Sequence, residues 1–219
     1  MTSGRESSNL QAWQQALLNF MKLTSETLVF SEINWFIIGS VATALQGCSL
    51  IPNDIDIVVS RKNDVGLIAS CFSHLEPKAS PVPVGDPEWI SSQELSVHYG
   101  EPDSYGFQSV FARWKLDGFK IEVAHITPPT ELANDPPEDG EGIWEANFVN
   151  WKYANLVDFR GYKIPLSPLE IQLQTNMDRG LEHRVNEILR IFRREGYTEL
   201  LETALSKVNH KKFLEMMEH

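Results

Sequence analysis

The stretch from Trp35 to Ser60, WFIIGSVATALQGCSLIPNDIDIVVS, constrains the fold more than any other part of the chain. Ile33 to Ile38 is an apolar run, interrupted only by Asn34, that ends at Gly39. Such a run fits a strand buried on both faces. Ser40 to Gln46 reads as one or two helical turns with Ser40 near the cap, and Pro52-Asn53 is turn chemistry. Ile55, Ile57, Val58 and Val59 then continue as a second strand, which carries Asp54 and Asp56.

Side chains alternate across a strand, so Asp54 and Asp56 share one face while Ile55 and Ile57 turn to the core. Two carboxylates so close repel unless a cation lies between them. Magnesium takes oxygen ligands and keeps waters and substrate phosphates in its shell, which suits such a pair. Gly39 has no side chain and lets backbone approach a phosphate. Ser40 adds a hydroxyl donor, and the helix starting there turns free N–H groups towards an anion. Gly39 and Ser40 are therefore the candidate nucleotide-binding residues, and Asp54 and Asp56 the candidate catalytic and metal-binding ones.

A third acid would complete a two-metal site. Glu122 lies in FKIEVAHI between Ile121 and Val123, a polar residue between two core-facing ones. Glu94, Glu101 and Asp103 lack such flanks. In two-metal phosphoryl transfer one cation holds the triphosphate and the other lowers the pKa of the attacking hydroxyl. Asp54 and Asp56 could bridge both Mg2+ ions, with Glu122 serving the second ion and taking the proton. The alternative for Glu122 is a surface glutamate paired with Lys120 or Arg113. An isolated DxD motif ordinarily marks a turn or an exposed strand end, so its weight here comes from the upstream Gly-Ser. Arg61 and Lys62 could meet the triphosphate or form a solvated strand end.

Hydrophobic-Gly-Ser, thirteen residues, then Asp-Ile-Asp-Ile resembles the signature of the polymerase-beta-like nucleotidyltransferase superfamily. Lys120-Ile121-Glu122-Val123 is similar to its third element, and Ile164 to Pro168 resembles the end of the minimal toxin-type and antibiotic-modifying members. The resemblance implies a small mixed sheet carrying the carboxylates. It implies transfer of a nucleoside monophosphate from an NTP such as ATP to a hydroxyl of a small molecule or protein, with release of pyrophosphate. Two departures stand out. Many members have aspartate where Glu122 stands. Toxin-type members carry a lysine, and later a Lys-Asp pair, where this chain has Gln174-Thr175 and His183-Arg184. The second reading is accordingly a binding module of the same fold, with weak or no catalysis, that holds a nucleotide or a partner protein. A serine hydrolase built on Ser40 is disfavoured, because the chain lacks a GxSxG elbow.

Elsewhere the pattern alternates between helix and strand. Asn9 to Met21 has helical spacing with Ser7 or Ser8 as cap, and Asn63 to His74 is helical with Asn63 as cap. Pro77 to Pro87 is loop. Leu95 to Tyr99, Ser109 to Trp114 and Phe119 to Ile126 are strand-like, with Asp117-Gly118 a hairpin turn, and Trp151 to Pro165 folds as a hairpin at Arg160-Gly161. Thr127 to Gly142 is rich in proline and acid and reads as a loop or lid. Ser167-Pro168 starts a helical tail with segments at Pro168 to Met177, Leu181 to Arg194, Tyr197 to Val208 and His210 to Met217. The expected fold class is α/β (α+β): a small mixed β-sheet core with flanking helices and a C-terminal helical bundle. Residues 1–166 form the nucleotidyltransferase-like core and 167–219 the helical subdomain.

The 219 residues carry a net charge of −11. That charge disfavours a nucleic-acid partner and favours a cationic acceptor such as an aminoglycoside. A local basic strip could still exist, since Arg160 and Lys163 flank a hairpin and Arg190, Arg193 and Arg194 cluster on one helix. Cys48 and Cys71 form no CxxC pair and read as buried free thiols. No apolar run approaches the roughly 20 residues of a membrane span, and the polar start MTSGRESSNLQAW lacks a signal-peptide core. A cytoplasmic protein without membrane attachment is expected.

Overall fold

The computed structural model describes residues 10–26, 32–104, 106–129 and 140–218. Ser7, Ser8 and most of the Thr127–Gly142 loop lie outside the described residues. The elements are α1 (Ala12–Ser25), β1 (Trp35–Ile38), α2 (Gly39–Leu45), β2 (Asp54–Val59), α3 (Lys62–Phe72), β3 (His98–Tyr99), β4 (Gln108–Leu116) and β5 (Phe119–Thr127). A hairpin of β6 (Asn155–Phe159) and β7 (Tyr162–Leu166) follows, then α4 (Leu169–Asp178), α5 (Glu182–Glu195), α6 (Leu200–Ala204) and α7 (Lys207–Met217).

The seven strands make one mixed sheet in the order β3-β4-β5-β2-β1-β7-β6. β1 runs antiparallel to β2 and parallel to β7, while β2 runs parallel to β5. Central strands buried on both faces explain the apolar runs of the sequence. Ile37, Ile55, Ile57, Ile121 and Val123 point to one face, where α1 and α3 cover them. There Phe20 stacks on Phe72 at 5.5 Å and Phe72 on Trp114 at 4.8 Å. Each such ring removed from water contributes about 1.5–3 kcal/mol. The opposite face carries the apolar patch Phe36, Val58 and Ala146.

Both hairpin expectations hold. Asp117 and Gly118 have φ of 53° and 79°, and Arg160 and Gly161 have 54° and 89°, the two successive positive values of the tight turn that matches strand twist. The strand expected over Leu95 to Tyr99 shrinks to His98–Tyr99, because Ser92 and Leu95 bond each other in a loop while Ser91 N–H donates to Arg113 O.

The tail differs from the sequence reading in two places. Helix α4 begins at Leu169, one residue later than expected, because Ser167 N–H donates to Ile37 O at 2.9 Å and extends the β1–β7 ladder. The helix expected across Tyr197 to Val208 begins only at Leu200 and breaks after Ala204. Leu205 is extended, and Ser206 caps α7 by accepting from Asn209 N–H at 3.2 Å. Gln174 Oε1 accepts from Ser206 N–H at 2.8 Å, which fixes the break. These helices share an apolar cluster of their own, including Leu173, Ile188, Leu189, Phe192 and Phe213, which Cys48 joins. Cys48 is buried, Cys71 is half-buried, and both are free thiols.

Lys163, Arg190, Arg193 and Arg194 each have a partner within the chain. Arg190 binds Glu187 and Gly47 O, Arg193 binds Met216 O, Arg194 binds Glu195, and Lys163 pairs with Asp158. Among the described residues no helix is long and apolar enough to cross a membrane.

Candidate functional site

Strand register brings the acids together. Asp56 pairs with Ile38 on one side and with Glu122 on the other, and Glu122 in turn pairs with Arg113. One row across four strands therefore reads Ile38, Asp56, Glu122, Arg113. The next row on this face places Asp54 beside Lys120. Ile55 and Ile57 point to the opposite, fully buried face.

Ile38, Asp54, Asp56 and Glu122 line a cleft of about 260 Å³ with Gly39, Glu145, Arg179 and Arg184. Gly39 has φ of +65°, a backbone conformation that L side chains rarely adopt, and a Cβ there would stand 3.2 Å from Asp56 Oδ2. Glycine is thus favoured by conformation, and any side chain would also press on Asp56. Ser40, next in the chain, is buried and does not line the cleft.

The electrostatics follow from four carboxylates around one small space. Burial pushes Asp56 up to about 7, and Asp54, Glu122 and Glu145 add to the effect against Lys120. Burial also raises Glu145, opposed by the Gly39 N–H and by Arg179 and Arg184. Glu122 Oε2 accepts from Arg113 Nε at 2.7 Å and also from Nη2, leaving Oε1 outside that contact. Lys120 Nζ lies 3.5 Å from Asp54 Oδ2. The surface-pair alternative for Glu122 is therefore realised through Arg113, on the same face as Asp56.

The three predicted acids share a cleft without forming a closed ligand set. Among the described residues, no group of three or more His, Cys, Asp or Glu side chains is drawn together to hold a metal ion. Arg113 and Lys120 hold two of the three acids instead. The donor chemistry still suits a divalent cation: Asp56 is raised first by burial and then by the negative field of Asp54, Glu122 and Glu145, and a cation would neutralise that field.

Sequence reasoning missed three lining residues. Glu145 comes from the segment between β5 and β6, where no periodicity points to it. Gly39 N–H donates to its Oε2 at 3.3 Å. Arg179 ends α4 and Arg184 sits in the first turn of α5, and among the described residues neither is in an ion pair. A carboxylate set between tryptophan and alanine, in GIWEANF, was the available signal for Glu145. Arg61 binds Asp64 at 2.9 Å and, like Lys62, does not line the cleft. Glu94, Glu101 and Asp103 do not line it either.

No family model matches the sequence, and no curated protein does. Among solved structures, a Thermotoga maritima protein provisionally described as a nucleotidyltransferase is similar, with a TM-score of 0.53. The two are 24% identical over 84% of this chain and 93% of that one. The fold is nucleotidyltransferase-like. A likeness at this identity concerns the fold alone, so the roles of individual side chains rest on the cleft itself.

Proposed function

We propose that the chain is a magnesium-dependent nucleotidyltransferase that moves a nucleoside monophosphate from an NTP such as ATP to a hydroxyl. The observation that carries the reading is that Asp54, Asp56, Glu122 and Gly39 line one cleft. Asp54 and Asp56 would hold magnesium, which when bound neutralises phosphate charge and acidifies the acceptor hydroxyl. Arg179, Arg184 and the Gly39 N–H bind the phosphate chain; guanidinium groups suit this because they meet phosphate with paired N–H donors. The acceptor oxygen bonds to the α-phosphorus, the bond from that phosphorus to the bridging oxygen breaks, and pyrophosphate leaves. Glu122 Oε1 receives the acceptor proton, with Arg113 fixing the other carboxylate oxygen. The net charge of −11 favours a cationic acceptor by field attraction.

A second reading, a nucleotide- or partner-binding module with weak or no catalysis, is favoured by the pairing of Glu122 with Arg113 and by the lack of a closed metal ligand set among the described residues. Incubation with α-labelled NTPs, magnesium and a broad acceptor set separates the two. Label transfer with pyrophosphate release that disappears in the Asp54→Ala/Asp56→Ala protein supports the enzyme. Nucleotide binding by calorimetry without pyrophosphate release supports the module, and transfer that survives the double substitution removes these residues from the chemistry.

A further inference from the structure

We propose that Glu145 is an internal stand-in for phosphate: its carboxylate occupies the Gly39 N–H within the field of Arg179 and Arg184, and an incoming nucleotide must displace it. This rests on the nucleotide-binding reading of the same cleft and adds a restraint built into it.

Four observations converge. The Gly39 N–H, assigned above to the phosphate chain, already donates to Glu145 Oε2 at 3.3 Å. Arg179 and Arg184, the two arginines lining the cleft, both act on this carboxylate. The Gln172 side chain bonds the Glu145 carboxylate and favours its charged form, but its buried Nε2 makes that contact outside normal hydrogen-bond geometry. That amide is a further donor that the carboxylate satisfies only poorly, and an ill-satisfied buried polar group is costly. Finally, the cleft measures about 260 Å³, below the roughly 300–1,000 Å³ of small-molecule sites. Withdrawal of one glutamate side chain enlarges it and frees its donors together.

The backbone around Glu145 does not share this freedom. Ile143 N–H donates to Ala204 O at 2.9 Å, and Glu145 N–H donates to Thr175 Oγ1 at 3.2 Å. Asn150 Nδ2 donates to Trp144 O at 2.6 Å and to Glu145 O at 3.1 Å. Trp144 packs on Phe107 at 4.9 Å. The exchange is thus a rotation of the side chain on a fixed strap. A phosphate chain carries more charge than one carboxylate and can engage both arginines and the amide at once, so it can win the exchange.

Calorimetry on the full chain tests this with two probes, sodium tripolyphosphate alone and ATP with magnesium. Glu145→Gln keeps the shape and removes the charge, and Glu145→Ala serves as a second variant. We expect both to bind tripolyphosphate about tenfold or more tightly than the wild type, the size of change that loss of one charge-assisted competitor produces. The Gly39 amide resonance of the wild type should shift on titration, and that of Glu145→Gln should shift at lower concentration. Wild-type binding with equal or weaker binding by both variants overturns the stand-in role and leaves the nucleotide-binding reading intact. Failure of wild type and variants alike to bind either probe overturns both.

Discussion

A Cβ atom added to Gly39 would stand 3.2 Å from Asp56 Oδ2, so the end of β1 and the acidic strand β2 meet where a side chain would crowd that carboxylate. Gly39 also has φ of +65°. Gly39→Ala should therefore cost about 1–2 kcal/mol from backbone strain. For a chain of this size that lowers Tm by about 2–8 °C. Because Asp56 must shift, nucleotide affinity should fall as well. An unchanged melting curve would show that the close approach is absent in solution.

The raised proton affinity of Asp56 makes stability depend on pH. The unfolded carboxyl titrates near 3.8 and the folded one at about 7. Between these values the native protein holds a proton that the unfolded chain has lost. The stability contributed by this group is complete below the lower value and disappears as pH rises through the upper one. Asp56→Asn should therefore be more stable than the wild type at about pH 8 by roughly 1–4 kcal/mol, with little difference near pH 4. Glu145 shifts in the same direction, so some slope persists in the variant. Thermal melts across this range check the sign. Magnesium should raise the wild-type Tm at the upper end and leave Asp56→Asn unaffected, because only a ligand of the native state stabilises.

Arg113 joins the acidic row to the loop before β3. Besides Glu122, its guanidinium donates to Pro87 O at 3.2 Å and Trp89 O at 3.4 Å. Arg113→Lys keeps a positive charge but loses the fork that holds one oxygen of Glu122. The expected loss of stability is about 1–3 kcal/mol. Label transfer should drop about tenfold or more while nucleotide affinity changes little, since the group acts on Glu122. A loss confined to nucleotide affinity would place Arg113 with the phosphate ligands instead.

Burial pushes the Cys48 thiol up to about 12, with Glu187 reinforcing the effect. Thiolate is the reactive form. Iodoacetamide at about pH 8 should modify the half-buried Cys71 in the native protein and spare Cys48 until the tail helices open. Mass spectrometry of tryptic peptides reads this directly; equal labelling of both thiols would show that the cluster of α4 to α7 is loosely packed.

Strand periodicity made the acidic row legible. Asp54 and Asp56 alternate with Ile55 and Ile57, and Glu122 lies between Ile121 and Val123, so their common face followed from spacing alone. The pairing of Asp56 with Glu122 did not, because register between β2 and β5 is a tertiary property. Ser40 had the right chemistry but is buried outside the cleft, since the positive φ of Gly39 turns the chain there. Glu145, Arg179 and Arg184 were hidden for a different reason. They sit in a loop, at a helix end and at a helix start, where no local pattern marks the direction of a side chain. The break at Leu205–Ser206 depends on Gln174, thirty-two residues away, which no local propensity contains.

A crystal structure with a non-hydrolysable NTP analogue and magnesium tests the central claim most directly. The account predicts a cation bound by Asp54 and Asp56, phosphates on Arg179, Arg184 and the Gly39 N–H, and the Glu145 carboxylate withdrawn from that amide. A nucleotide bound elsewhere on the chain, or a cleft in which Glu145 keeps the Gly39 N–H and no cation meets Asp54 or Asp56, would contradict it.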